Sequence, residues 1–242
     1  MYNPAYYAHT FLARQSPQTG ILREAPETLW AFWLGGELSA ARRASLSALE
    51  AQPGLEVRLV RSPDEVLVEG HPFHPSFEHL HAVHRSDYLR AYVMHHHGGV
   101  YADVKPFTQA LAPVLGRLNA DATIWVVGYR EITSNYVPDL LHVLGDHIRR
   151  HYRAVMGPSG FACRPETAFT AEWMRELHAR LDYFVGAFEE AGARDCVPYS
   201  APAAYPIRWS EILGDIIQPL SMKHQAHMLL TNGIRPQLKL YR

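Results

Sequence analysis

Residues 29–60 read LWAFWLGGELSAARRASLSALEAQPGLEVRLV, and the order of patterns in this stretch decides the fold class. Leu29 to Leu34 is continuously apolar and rich in aromatics, as a strand buried on both faces must be, and Gly35-Gly36 closes it with a tight turn. From Ser39 the pattern changes: Leu38, Arg42, Leu46 and Leu49 recur at three- or four-residue spacing, which predicts a helix stopped by Pro53-Gly54. Leu55 to Val60 then alternates as a second strand. Ser62, Pro63 and Glu65 supply an N-cap, a proline at the first helical position and a capping-box acid for a further helix. Strand, helix, strand, helix is the opening of an α/β sandwich with a mostly parallel central sheet.

Further along, Phe77, Leu80, Val83, Tyr88, Ala91, Tyr92 and Met94 approximate a helical repeat over Ser76 to His97, and Gly98 sits where a left-handed C-cap belongs. Val100 to Val104 follows as a short strand that Pro106 prevents from continuing. Asp103 is thereby placed at the carboxyl end of a strand, where open α/β sheets bind ligands. Ala122 to Tyr129 reads as another buried strand and Asp139 to His151 as a helix. Ala154 to Pro165 reads as strand and turn, followed by a helix to about Glu190. The last fifty residues, with Pro198, Pro202, Pro206 and Pro219, read as loop-rich with short helices. No repeat or linker divides the chain, so one domain over residues 1–242 is expected.

With 48% hydrophobic and 19% charged residues, the composition is that of a folded protein. The 23 Lys+Arg and 24 Asp+Glu leave a net charge of −1, which gives no global reason to expect nucleic acid or an anionic membrane as the main partner. An anionic ligand must be met locally. Cys163 and Cys196 lack metal-type spacing, the first twenty residues lack a secretory apolar core, and no apolar run approaches the roughly 18 residues of a membrane span. Two free core thiols, no transmembrane segment and a cytoplasmic location are expected. Fifteen histidines are the unusual feature. His71-x-x-His74 and His224-x-x-His227 have ligand-compatible spacing, but no cysteine accompanies them, and a dedicated zinc site is not expected. His95 to His97, in the last turn of a helix, suit the macrodipole and the terminal carbonyls, so a capping and surface role is expected for them.

The chemistry concentrates in Ser86-Asp87-Tyr88-Leu89-Arg90 and in Gly98-Gly99-Val100-Tyr101-Ala102-Asp103-Val104-Lys105. Asp87 and Arg90, three apart on one helix, can pair or reach a common ligand. Gly98-Gly99 permits positive φ and close backbone approach, or merely stops the helix. In this order, S-D-x-x-R, seven residues, then G-G-V-Y-x-D resembles the signature of the sugar transferases with a DXD motif, the superfamily of Golgi mannosyltransferases, glucosylating clostridial toxins and capsular polysaccharide transferases. Phe32-Trp33-Leu34-Gly35-Gly36 is similar to that group's first-strand motif. The resemblance covers roughly residues 29 to 107 and fades beyond Pro165.

The resemblance implies a GT-A-like, Rossmann-related fold, with a donor-binding part at about residues 29–130 and acceptor and closing segments at about 131–242. It implies transfer of a hexosyl group from a nucleoside diphosphate sugar to a glycan or other hydroxyl acceptor, as in polysaccharide biosynthesis, with retention of configuration. Trp33, beside Phe32, would stack on the base, or else serve as core. Asp87 and Arg90 would contact donor sugar and phosphate, and Asp103 would bind hydroxyls and a metal ion. Tyr101 shares Asp103's face, while Gly99 allows close backbone approach. Met156-Gly157-Pro158-Ser159-Gly160 is similar to the family's Gly-Pro turn, and Tyr205 to Trp209 with Lys223 and His224 lie where such enzymes place a closing segment.

One position departs from the pattern. Where the second aspartate of DXD would ligate Mn²⁺ or Mg²⁺, this chain has Lys105, whose ammonium repels a cation. Either Lys105 neutralises the departing diphosphate and no metal is used, or Asp103 holds a divalent cation with a further ligand from His224 or His227. A retaining mechanism needs no fixed protein base. An inverting one does, and Glu131, Asp139 and Glu166 are its candidates. Two other functions are compatible with the sequence: a nucleotide-sugar-binding protein without turnover, and a histidine-dependent metallohydrolase.

Overall fold

The computed structural model describes residues 3–16, 22–191 and 205–238. Cys196, Pro198 and Pro202 lie outside them. Six strands form one mixed sheet: β1 Thr28–Phe32, β2 Glu56–Val60, β3 Gly99–Ala102, β4 Val126–Arg130, β5 Met156–Cys163 and β6 Met228–Leu230. Their order is β2-β1-β3-β5-β4-β6. Pairings β1 with β2, β1 with β3 and β4 with β6 are parallel, and β5 runs antiparallel to both its neighbours, so five strands share one direction.

Side-chain alternation sorts the sheet's two faces. Trp30, Phe32, Tyr101 and Phe161 face one apolar cluster, completed by helices α2 (Ala82–His96), α4 (His142–Arg150), α5 (Ala168–Ala191) and α6 (Gly214–Lys223). Leu29, Ala31, Val100, Ala102 and Ala162 face the other, covered by α1 (Ala40–Glu50) and α3 (Ala112–Ala120). This is a three-layer α/β sandwich with a mostly parallel sheet.

Several expected elements begin or end elsewhere. Ser39 caps α1 as its sequence position predicts, accepting from the Arg42 amide. The Ser62 capping box forms as well, but it heads only the single 3-10 turn Pro63–Val66. The helix expected from Ser76 is split. A 3-10 turn, Pro75–His79, ends at Leu80, and α2 starts at Ala82 because His74 and His81 each offer a ring nitrogen as N-cap acceptor. Gly98 then stops α2 at φ 71°, where a Cβ would lie 2.6 Å from Pro165 Cδ. The Gly-Pro stretch expected to turn is instead part of β5, and the register shift between Gly128 and Arg130 accommodates Pro158 there. Helix α3 and strand β6 are additions to the pattern read from sequence.

Candidate functional site

The shared direction of five strands brings their carboxyl ends to one edge, and the conspicuous residues collect there. Alternation carries Tyr101 and Asp103 to the α2 side of the sheet. Helix α2 in turn presents Asp87 and Arg90 to them. Arg90 bridges the two carboxylates, with Nη1 3.4 Å from Asp87 Oδ1 and Nη2 3.4 Å from Asp103 Oδ1. Its guanidinium lies 4.7 Å over the Tyr101 ring, and that ring stacks on Phe32 at 5.5 Å. The Tyr101 hydroxyl donates to Asp103 Oδ1 at 2.5 Å. Lys105 Nζ sits 2.6 Å from Asp103 Oδ2 and donates to Ser159 Oγ at 3.0 Å. The Asp103 amide donates to the Ser159 carbonyl at 3.0 Å, fastening the end of β3 to β5.

These contacts set the protonation states. Burial would raise the Asp103 pKa, but Lys105, Arg90 and the hydrogen bonds outweigh it and hold the carboxyl at about 2. Asp87 is buried with only Arg90 in its favour and Asp103 against it, and burial prevails, lifting it to about 7. Near neutral pH the cluster therefore holds two cations, one firmly ionised carboxylate and one carboxyl whose ionisation burial opposes. Its balance leans positive at a strand terminus, which suits an anionic ligand.

The chain matches no protein-family model, curated protein or solved structure.

Trp33 leaves the end of β1 half-buried, with its indole N–H donating to the Gly36 carbonyl at 2.6 Å, while Trp30 is buried and donates to the Gly98 carbonyl at 2.9 Å. Of the two, Trp33 is the more exposed, and it packs with the apolar cluster on the α1 and α3 face of the sheet, across from Tyr101. A cleft of about 420 Å³ lies beside Lys105, walled by Arg42, Ala44 and Ser45 of α1 and by Gln237.

Other expected site residues lie apart. Gly99 is at the opposite end of β3, where a Cβ would come within 2.7 Å of the Thr28 carbonyl oxygen, so it serves strand packing. His224 bonds Glu172 at 3.1 Å, and His227 stacks on Trp125 at 3.7 Å. Trp125 pairs with Arg164, five residues along the chain from Ser159, which puts both histidines toward the opposite end of the strands from Asp103. Lys223 is likewise tied there, to Glu172 at 2.7 Å. Neither histidine is placed to complete a metal site with Asp103. Both oxygens of Asp103 already face cations, a donor set that does not suit Mn²⁺ or Mg²⁺. Among the described residues no group of three or more His, Cys, Asp or Glu is arranged to hold a metal.

The candidate bases are also separated. Asp139 is exposed and pairs with Arg149, and Glu166 pairs with Arg23 beyond the far end of β5. Glu131 alone stands at the carboxyl edge, buried after β4, with its pKa raised by burial to about 7. Sequence reading missed Tyr129, whose hydroxyl hydrogen-bonds Ser159 and whose ring occupies the space a Cβ at Gly157 would need. Its position two residues before Glu131 in an alternating strand is the signal that points to it. The histidines His95 to His97 are packed: His95 bonds Thr170 at 3.1 Å, His97 bonds the Val66 carbonyl at 2.8 Å, and His96 leans on Tyr92.

Proposed function

We propose that this chain is a GT-A-like hexosyltransferase that uses a nucleoside diphosphate sugar and compensates its diphosphate with Arg90 and Lys105. The observation that supports it is the convergence of Asp87, Arg90, Tyr101, Asp103 and Lys105 at the carboxyl end of β3, in the arrangement the DXD resemblance implies. In this reading Trp33 stacks on the base. The incoming diphosphate draws Lys105 and Arg90 toward itself, and the Asp103 carboxylate they release accepts hydrogen bonds from donor hydroxyls. As the glycosidic C–O bond breaks, the same two cations stabilise the negative charge that grows on the leaving phosphate. With retention, a departing phosphate oxygen takes the acceptor proton, and the acceptor is a glycan or another hydroxyl compound.

The internal pairing of Asp103 supports a second reading, a nucleotide-sugar-binding protein without turnover. Thermal shift with UDP-, GDP- and dTDP-sugars, with Mn²⁺ or with chelator, tests both. Donor-specific stabilisation unaffected by chelator, together with transfer or slow donor hydrolysis, is the expected result. Stabilisation with neither reaction leaves the second reading. A folded protein whose melting temperature no nucleotide sugar changes at millimolar concentration refutes both.

A further inference from the structure

The segment that leaves the site edge after β4 builds an unusual surface. Tyr136, Leu141, Val143 and Trp209 are 54%, 76%, 55% and 52% exposed, although large apolar side chains are normally covered. They share one neighbourhood. The 3-10 turn Ser134–Tyr136 packs on α4, and the Leu140 carbonyl lies so close over Gly145 that no Cβ fits between them. Arg208 donates to the Asp139 carbonyl at 3.3 Å and so brings Trp209 alongside.

Arginines stand on the same segment, before and after these apolar groups. Arg130 reaches the Arg153 carbonyl at 3.3 Å, and Arg149 and Arg150 are exposed on the last turn of α4. Arg208 is held by Glu211 and Asp215, each at 2.7 Å, so the surface charge rests on the exposed Arg130, Arg149, Arg150 and Arg153 against the exposed Asp139 and Asp146, while Glu131 is buried. A chain of net charge −1 thus gathers an excess of cations on a surface where four large apolar side chains protrude together.

We propose that residues 130–153 with Trp209 form a docking surface for an anionic membrane. The charges complement acidic headgroups, and Trp209 and Tyr136 are residue types that settle at the headgroup level. Leu141 and Val143 separate this partner from a nucleic acid or another polyanion, because aliphatic side chains gain nothing from phosphates and gain from the acyl boundary. The buried face of α4, Leu144 and Ile148, belongs to the core, so contact is made by the protruding side chains and the helix stays in place. Among the described residues no helix is long and apolar enough to cross a membrane, and the contact proposed is peripheral. Docking needs neither donor nor turnover, so its failure and that of the transferase reading are distinguishable.

The test is flotation of the full chain with vesicles of phosphatidylcholine alone and of phosphatidylcholine mixed with phosphatidylglycerol. Flotation with the mixed vesicles only, weakening as salt rises, is expected. Leu141→Glu with Val143→Glu, and separately Arg149→Glu with Arg150→Glu, should each reduce the bound fraction about tenfold or more at unchanged melting temperature. Leu67→Glu, an exposed apolar site after β2 at the other side of the sheet, should leave flotation unchanged. No flotation with either vesicle, equal flotation with both, or full flotation of the Leu141/Val143 variant overturns the proposal. Heparin binding that matches vesicle binding in strength and survives that variant assigns the surface to a polyanion instead.

Discussion

The Lys105 ammonium lies 2.6 Å from Asp103 Oδ2, so the position that a DXD motif gives to a second carboxylate holds the counter-ion of the first. Removing one partner of a buried pair costs about 3–5 kcal/mol when the remaining charge is stranded. Here Arg90 still faces Asp103, and Lys105→Ala should cost less, about 2 kcal/mol in a denaturant melt. Its effect on transfer should be larger, about a hundredfold in kcat, as for loss of a group that stabilises a developing anion. Full activity in this variant would remove Lys105 from the chemistry. Asp103→Asn should be the more damaging change to the fold, because it removes the carboxylate that Arg90 and Lys105 share and leaves Asp87, which faces Arg90, as the remaining acid of the cluster.

Trp30 and Trp33 make a controlled comparison on one strand. Trp30 is buried and Trp33 is half-buried with its indole tied to the Gly36 carbonyl. Trp30→Ala should cost about 3–5 kcal/mol, the usual loss for a large core aromatic. Trp33→Ala should cost far less stability and weaken donor binding about tenfold, read as a reduced ligand-induced shift in melting temperature. Equal losses of stability in the two variants would make Trp33 a core residue and withdraw it from the donor site.

What the sequence revealed and what it hid have physical causes. The strand that ends just before Asp103 was legible because glycines and Pro106 punctuate a short apolar run, and α1 because Ser39 and Pro53-Gly54 mark its ends. Asp87 and Arg90 pair with each other, one of the two outcomes that their helical spacing allowed, and Arg90 reaches Asp103 as well. The role of His74 and His81 as helix N-caps was hidden, because histidine is an uncommon cap and the break at Leu80 does not interrupt the apolar repeat. The reversal of β5 was hidden too, since Gly157-Pro158 reads as a turn and only pairing with β3 and β4 makes it strand. The distance of His224 and His227 from Asp103 depends on where β6 joins the sheet, and three residues of strand leave little trace in sequence.

Asp87 predicts a stability that falls as pH rises. In the unfolded chain its carboxyl loses the proton near 3.8, whereas the folded protein retains it to about 7 because burial outweighs Arg90. Between those values the folded state binds more protons, so stability declines across the window and is level above it. Glu131, raised to about 7 by burial, adds to the same decline. Asp87→Asn should therefore raise the melting temperature more at the alkaline end of the window than at the acid end, flattening the profile. An unchanged slope would mean that Asp87 ionises in the folded protein as an ordinary carboxyl does.

His84 predicts the opposite slope from the same helix. Its Nε2 lies 3.2 Å from the Trp209 carbonyl, which can only accept, so that nitrogen carries the proton and Nδ1, 2.8 Å from the Tyr205 hydroxyl, accepts. The imidazole thereby pins the segment from Tyr205 to Trp209 onto α2, one helical turn before Asp87. Burial and the neighbouring His81 ring, 4.2 Å away, hold the His84 pKa near 3. Below the ordinary value of 6.5 the unfolded chain binds a proton that the folded chain refuses, so stability is lost as pH falls from 6.5 toward about 3. His84→Asn should lower stability at neutral pH, by about 1–3 kcal/mol for the stranded partners. It should also flatten the acid side of the curve, where the wild-type chain pays for its neutral imidazole. The flattening is the decisive readout, since a merely loosened contact would shift the whole curve and leave its slope intact.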